Sequence, residues 1–169
     1  MKLETERLIL KEINENHVED ILRIRSNPLI NQFVTRVSPK SNYDALAFIL
    51  SIKRRTQTKE IIFFGISYKD QPDLIGTICL WKFSEDRKTA EIGYELLPDH
   101  HRKGIMSEAV DSVLNFGFNE LNLQEILAFT NTMNEASQKL LLKHNFVLQQ
   151  GRIDEGFPDN IVFSLYKGN

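Results

Sequence analysis

The chain has a single cysteine, a single tryptophan and five scattered prolines among its 169 residues. With Cys79 alone, no intramolecular disulfide framework is possible, which fits a reducing compartment. Pro28, Pro39, Pro72, Pro98 and Pro158 are isolated punctuation, and no Gly-, Ser- or Pro-rich tract separates one part of the chain from another. There is no internal repeat. Long apolar runs are also missing: Met1 to Lys11 alternates charged and apolar residues, unlike a signal peptide or a membrane span. A cytoplasmic protein is expected. Excess charge is absent too, and a net charge of −2 argues against a general nucleic-acid binder. His100 and His101 are adjacent, a poor spacing for two ligands on one metal, and nothing else completes a metal site. What remains is an ordinary globular composition, long enough for one domain over residues 1–169 with a proper core.

Periodicity divides that length. Arg7–Ile13 reads as a first strand. Asn16 is positioned to cap a helix from His17 to about Ser26, with Val18, Ile21, Leu22 and Ile24 as its apolar positions. A short helical piece follows Pro28. Ser41 or Asn42 caps a further helix, Tyr43 to about Arg55, whose Ala45, Leu46, Phe48, Ile49 and Ile52 recur at helical spacing. The period then shortens. Glu60–Tyr68, Leu74–Phe83 and Thr89–Leu97 are rich in β-branched and aromatic residues and are joined by polar turns, the pattern of an antiparallel meander. A helix from Gly104 to about Glu120, a strand Gln124–Thr130, a helix Asn134–His144 and strands Phe146–Ile153 and Ile161–Lys167 complete the chain. The order predicts a mixed α/β fold: a central, mostly antiparallel sheet of about seven strands flanked by helices.

One turn carries chemistry. Leu97-Pro98-Asp99-His100-His101-Arg102-Lys103-Gly104 leads from a strand into the longest of these helices. The first amides of a helix lack internal partners, Gly104 has no Cβ to block an approaching ligand, and Arg102 and Lys103 add full charges to the helix's partial one. Such a bend is a docking place for a phosphate or pyrophosphate. An ordinary exposed strand-to-helix turn has the same outline.

Three segments carry a family resemblance. They are Glu4-Thr5-Glu6-Arg7-Leu8 with Ile24-Arg25-Ser26-Asn27-Pro28; Ala90-Glu91-Ile92-Gly93-Tyr94-Glu95-Leu96 running into Lys103-Gly104 and Glu108-Ala109; and Asn131-Thr132-Met133-Asn134-Glu135-Ala136-Ser137 with Lys143-His144-Asn145-Phe146. In this order the chain resembles the GNAT superfamily of acetyl-CoA-dependent N-acetyltransferases. More narrowly it is similar to the RimJ/RimL-type branch, named for enzymes that acetylate the N-termini of ribosomal proteins. Three places depart from the pattern. His101, Gly104 and Met106 stand where the superfamily has Gln or Arg, Gly, then Gly or Ala; Arg102 stands where glycine is common in the branch, which either crowds the turn or adds charge for phosphate; and Asn145 replaces a glycine at a left-handed helix end, a physically mild change.

The resemblance implies acetyl-CoA as cofactor, held by Leu96, Leu97, His101, Arg102, Lys103, Gly104, Ile105, Met106 and Ser107, and further along by Asn131 and Asn134. It implies direct attack of an amine on the thioester, so Cys79 is read as a small buried hydrophobe rather than a nucleophile. Glu91 and Glu95 share one strand face with Gly93 between them, which leaves room for an amine beside two candidate bases. Glu91 is favoured. Alternatively both are solvated charges on an open sheet face. Ser137, three residues after Asn134, is implied to hydrogen-bond the cofactor sulfur; Asn134 also suits a helix cap. The acceptor is expected to be a protein or peptide α-amine, with a polyamine, aminoglycoside or amino acid as the alternative. A non-catalytic acyl-CoA-binding module is the third reading. Trp81 and Phe83 are read as core, with the lining of an acceptor pocket as the alternative, and Lys53-Arg54-Arg55 as a solvated helix end. Members of the family often dimerise, which makes a homodimer an expectation.

Overall fold

Alternation along one central strand sets the layering. In a computed structural model describing residues 1–169, β3 (Ile61–Tyr68) sends Phe64 and Ile66 into one core and Ile61 and Phe63 into another. A strand buried on both faces needs a layer on each. One is made by α1 (Val18–Arg25) and α2 (Asn42–Gln57), which supply Ile21, Ile24, Ala45, Ile49 and Ile52. The other is made by α3 (Ile105–Asn115) and α4 (Glu135–Lys143), which supply Ile105, Val110, Val113 and Leu141. Each fully buried Ile or Leu of these cores contributes about 1.5–3 kcal/mol relative to exposure.

The sheet has eight strands rather than about seven, in the order β1-β2-β3-β4-β5-β6-β8-β7. The additional strand is β1 (Lys2–Glu4), which folds back antiparallel on β2 (Leu8–Lys11) and pairs Leu3 with Leu10. The expected single strand Arg7–Ile13 is therefore the second arm of a hairpin. β3, β4 (Gly76–Trp81) and β5 (Thr89–Leu96) form the predicted meander. β4 stops at Trp81, because Lys82 adopts a left-handed φ of 49°. β6 (Glu125–Asn131) runs parallel to β5 and antiparallel to β8 (Asn160–Tyr166). The expected strand Phe146–Ile153 contracts to β7 (Val147–Leu148), whose two residues are both exposed and have no apolar face to extend.

Helix ends follow capping chemistry, with two adjustments. The first helix is capped from Asn14 rather than Asn16: its side chain takes the Asn16 amide while His17 Nδ1 receives the Asn14 amide, opening a short 3₁₀ turn before α1. Ser41 caps α2 by accepting the Asp44 amide at 3.2 Å. The predicted helix from Gly104 to Glu120 changes hydrogen-bond pattern at Phe116, and residues Phe116–Glu120 form a wider π turn. Asn145 is left-handed, φ 67°, as its place in the sequence required. No helix is long and apolar enough to cross a membrane.

Candidate active site

The site begins where the sheet is unfinished. β5 and β6 pair over three rungs only, Thr89 with Glu125, Ala90 with Ile126 and Glu91 with Leu127. Beyond Glu91 the strands part, while β6 stays fully paired to β8 through Asn131. The facing edge of β5 from Ile92 onward is left without a strand neighbour, and backbone N–H and C=O groups in that position seek a partner. The gap opens into a cleft of about 1110 Å³ that reaches both layers of the molecule.

At the mouth of the gap lies the Leu97–Gly104 turn. Arg102 and Gly104 are both left-handed, with φ of 60° and 73°, and Gly104 precedes α3 without any side-chain cap. The first amide of α3 to find a helical partner is Glu108's, on the Gly104 carbonyl, so the amides before it face outward. His101, though exposed, reaches back to the end of β5, its Nε2 2.8 Å from the Leu96 carbonyl. Of the predicted cofactor residues, Leu96, His101, Arg102, Gly104, Ile105, Met106 and Ser107 line the cleft. Leu97 and Lys103 do not: Leu97 packs on the α1–α2 core, and the Lys103 side chain is directed to solvent.

A clamp holds this turn from the far end of the chain. Arg7 donates from Nη1 to the Lys103 carbonyl at 2.9 Å and from Nε to Glu108 Oε2 at 2.7 Å. The Arg7 amide and the Thr5 hydroxyl both donate to Glu108 Oε1. Burial alone would raise the Glu108 carboxyl, yet these donors outweigh it and hold it below its ordinary value. In the sequence Thr5 and Arg7 stand only as signature residues. Their link to Glu108 spans about a hundred positions and leaves no local pattern.

The floor of the cleft on the α1–α2 side is a polar row. β5 presents Glu91, Gly93 and Glu95 there, opposite Trp81, Cys79 and Thr77 of β4. Neither carboxylate is a solvated surface charge: their side chains are 11% and 12% exposed. Their surroundings differ. Glu91 has one cation, Lys82 Nζ at 3.1 Å, and burial lifts its carboxyl above the ordinary value despite that lysine; Asp154 adds to the lift. Glu95 is held at both oxygens, by Arg36 at 2.8 Å and Arg25 at 3.5 Å, with the Thr77 hydroxyl at 3.4 Å. Both Glu95 oxygens are thus engaged by guanidinia while Glu91 meets a single ammonium, so the pair divides into one carboxylate open to the cleft and one ion-pair anchor. Cys79 is half-buried and lines the cleft floor rather than being sealed in the core; its thiol, pushed up to about 12 chiefly by desolvation, is not a nucleophile at neutral pH. A Cβ on Gly93 would come within 3.3 Å of the Cys79 sulfur, so glycine keeps this spot open. Trp81 packs against the α1–α2 core, as read, and lines the cleft as well, with Lys82 over its ring. Phe83 packs against the main core.

On the other side of the gap, Asn134 caps α4 through the Ser137 amide at 3.2 Å, and both residues line the cleft together with Asn131. The Ser137 hydroxyl lies 2.8 Å from that of Tyr94 on β5. Tyr94 was not singled out in the sequence; its period-two position, opposite to Glu91 and Glu95, points it toward α4. Burial pushes its phenol up to about 12, so it stays neutral, with a proton it can donate. A second polar chain supports the α3 N-terminus: Ser107 Oγ is 3.0 Å from His144 Nε2, and His144 Nδ1 is 2.9 Å from Asp111. His100 bonds the Tyr68 hydroxyl at 3.0 Å, and no cluster of His, Cys, Asp or Glu fit for a metal is present.

A cleft between parting strands, fed by a helix N-terminus with free amides, is the architecture of a coenzyme-dependent acyl transferase. The sequence profile described as "Acetyltransferase (GNAT) domain" matches residues 7–147, and the chain belongs to that family. It is 38% identical to the uncharacterized N-acetyltransferase YoaA of Bacillus subtilis (strain 168) over 170 residues, covering 98% of this chain and 96% of that one. Its fold is shared with the ribosomal-protein-S5-alanine acetyltransferase of Vibrio fischeri, TM-score 0.82 at 20% identity, covering 100% and 98% of the two chains. It is shared also with the microcin C7 self-immunity acetyltransferase MccE, solved with acetyl-CoA and AMP, TM-score 0.79 at 19% identity, covering 95% and 93%. The protein is an N-acetyltransferase that uses acetyl-CoA.

Proposed function

We propose that the acetyl acceptor is the α-amine of a peptide or protein N-terminus and that Glu91 is the base. The observation that carries this reading is the contrast between the two carboxylates, one available and one doubly ion-paired. Acetyl-CoA supplies an activated acetyl thioester. Its diphosphate fits the free amides of Ile105, Met106 and Ser107 beside Gly104, where no Cβ intrudes, and its amide-bearing arm fits the unpaired edge of β5. Only a neutral amine attacks. An α-amine, with a pKa of about 7.7–8.0, gives up its proton to a carboxylate far more readily than a lysine amine at about 10.4. Glu91 accepts that proton directly or through water, and the space over Gly93 admits the amine. Ser137 donates a hydrogen bond to the departing sulfur, oriented by Tyr94.

The test is thiol release from acetyl-CoA with short peptides bearing free Ala or Ser ends, alongside spermidine, an aminoglycoside and free amino acids. Acetyl found by mass spectrometry on the peptide α-nitrogen is the expected product. Release only with polyamines or aminoglycosides overturns the proposed acceptor.

A further inference from the structure

The cleft floor is electrically polarised along β5. One end holds Glu91 with its single cation Lys82 at 3.1 Å, and Asp154 close enough to act on Glu91, two carboxylates to one ammonium. The other holds Glu95 with Arg25 and Arg36, so that two guanidinia share one carboxylate. The two arginines are compensated unequally. Arg36 bonds Glu95 at 2.8 Å and Asn31 Oδ1 at 2.7 Å and 3.1 Å. Arg25 has a single polar contact, the 3.5 Å approach to Glu95, and otherwise stacks its guanidinium 3.8 Å over the Phe48 ring. Its side chain is only 17% exposed. Burial depresses it to about 10, so it is still charged at neutral pH. A guanidinium carries five N–H donors, and a buried one with most of them unmatched is costly unless something else engages them. These donors are not sealed in protein: the one buried side-chain nitrogen or oxygen without a partner is Trp81 Nε1, and both arginines line the cleft.

Resting on the α-amine reading above, we infer that the Glu95 end of the cleft recognises an anionic oxygen group on the acceptor, so that the preferred N-terminus carries an acidic residue at its second or third position. The geometry matches. Gly93 and Glu95 are two residues apart on a strand, about 7 Å, and Glu91 and Glu95 about 13 Å. The carboxylate of a free α-amino acid is too near its own amine to span that gap, whereas one or two residues of extended peptide advance about 3.5–7 Å and a side chain adds the rest. The ammonium then meets Glu91 and Asp154, and the anion meets Arg25 and Arg36, in the planar forked geometry that suits carboxylate and phosphate alike.

The experiment compares kcat/KM for four peptides of the form Ala-Xaa-Ala-Ala-amide, with Xaa as Glu, phosphoserine, Gln or Lys, in the wild-type enzyme and in Arg25→Gln and Arg25→Lys. The wild type is expected to favour Glu over Gln by at least about tenfold, chiefly in KM, and to disfavour Lys further. Phosphoserine matching or exceeding Glu identifies phosphate as the natural anion; Glu ahead identifies carboxylate. Arg25→Gln is expected to bring the Glu-to-Gln ratio toward one, and Arg25→Lys to restore part of it. Equal turnover of Glu, Gln and Lys peptides in the wild type overturns the inference while leaving α-amine transfer standing. So does a parallel loss on Glu and Gln peptides in Arg25→Gln, which marks Arg25 as structural. No thiol release with any peptide overturns the acceptor reading, and this inference with it.

Discussion

The Tyr94 and Ser137 hydroxyls stand 2.8 Å apart and tie β5 to the first turn of α4 across the gap where β5 leaves β6. With the Tyr94 proton directed to Ser137, the serine's own proton is free to point into the cleft. Ser137→Ala is therefore expected to lower kcat by about a hundredfold while changing the acetyl-CoA Kd little. Tyr94→Phe, which removes only the orienting bond, is expected to cost about three- to tenfold. Steady-state kinetics with calorimetric titration separate the two terms; equal losses in kcat and affinity for Ser137→Ala remove it from the chemical step.

Glu91 works only when ionised, and burial raises its carboxyl. The rate is accordingly expected to rise as pH climbs through that elevated value and to fall away below it. In Glu91→Gln this limb disappears, and the remaining dependence follows the amine itself near a pKa of about 8. A pH profile of kcat/KM on an Ala-ended peptide reads both. An unaltered profile in Glu91→Gln assigns the proton to another acceptor.

Glu95→Gln keeps the shape of the site and withdraws the charge that two arginines share. The expected result is lost stability, about 1–3 kcal/mol, because two buried guanidinia then face each other. For a chain of this size that is a fall of about 2–12 °C in Tm. The acidic limb of the pH profile is expected to remain. Its loss in Glu95→Gln, rather than in Glu91→Gln, reverses the roles given to the two residues.

Gly104→Trp sets a bulky side chain where φ is 73°, with Arg7 3.4 Å from the new Cβ position. Backbone strain and blocked access both act against coenzyme A, and its Kd is expected to rise at least about tenfold. Undiminished affinity in calorimetry places the diphosphate elsewhere.

Arg7→Ala removes the two guanidinium bonds of the clamp, leaving those of the residue-7 amide and the Thr5 hydroxyl, without touching the cleft wall. A similar loss of coenzyme affinity, about tenfold, is expected from a loosened turn. The Glu108 carboxyl, held below its ordinary value by its donors, stabilises the clamp above that value, and this contribution is lost as pH falls through the depressed one. Wild type and Arg7→Ala are thus expected to converge in Tm under strongly acidic conditions and to differ at neutral pH.

Much of this was legible in the chain. The meander, the Gly104 turn, the Ser41 and Asn134 caps and the left-handed Asn145 all rest on local rules of period and φ, and each was readable from a few adjacent residues. The N-terminal hairpin was less so, because β1 is only Lys2–Glu4 and its apolar signal is one leucine. The preference for Glu91 over Glu95 was stated from the sequence, but its physical cause was not readable there. Both sit in one strand at equivalent positions, and what separates them comes from elsewhere: Lys82 from the next turn, Arg25 from α1 and Arg36 from the loop after it. Tyr94 with Ser137, and Arg7 with Glu108, are likewise contacts across the fold that no spacing rule anticipates.

The early parting of β5 from β6 carries a cost as well as a use. Two raw strand margins face one another in the middle of the molecule, held open by neighbours rather than closed by each other, and such margins invite a foreign strand. A resident coenzyme would act there as a removable rung, so the unliganded form should be the one that exchanges amide hydrogens fastest along Ile92–Leu96 and clumps first on warming. Coenzyme supply would then govern how long the molecule lasts as well as how fast it works.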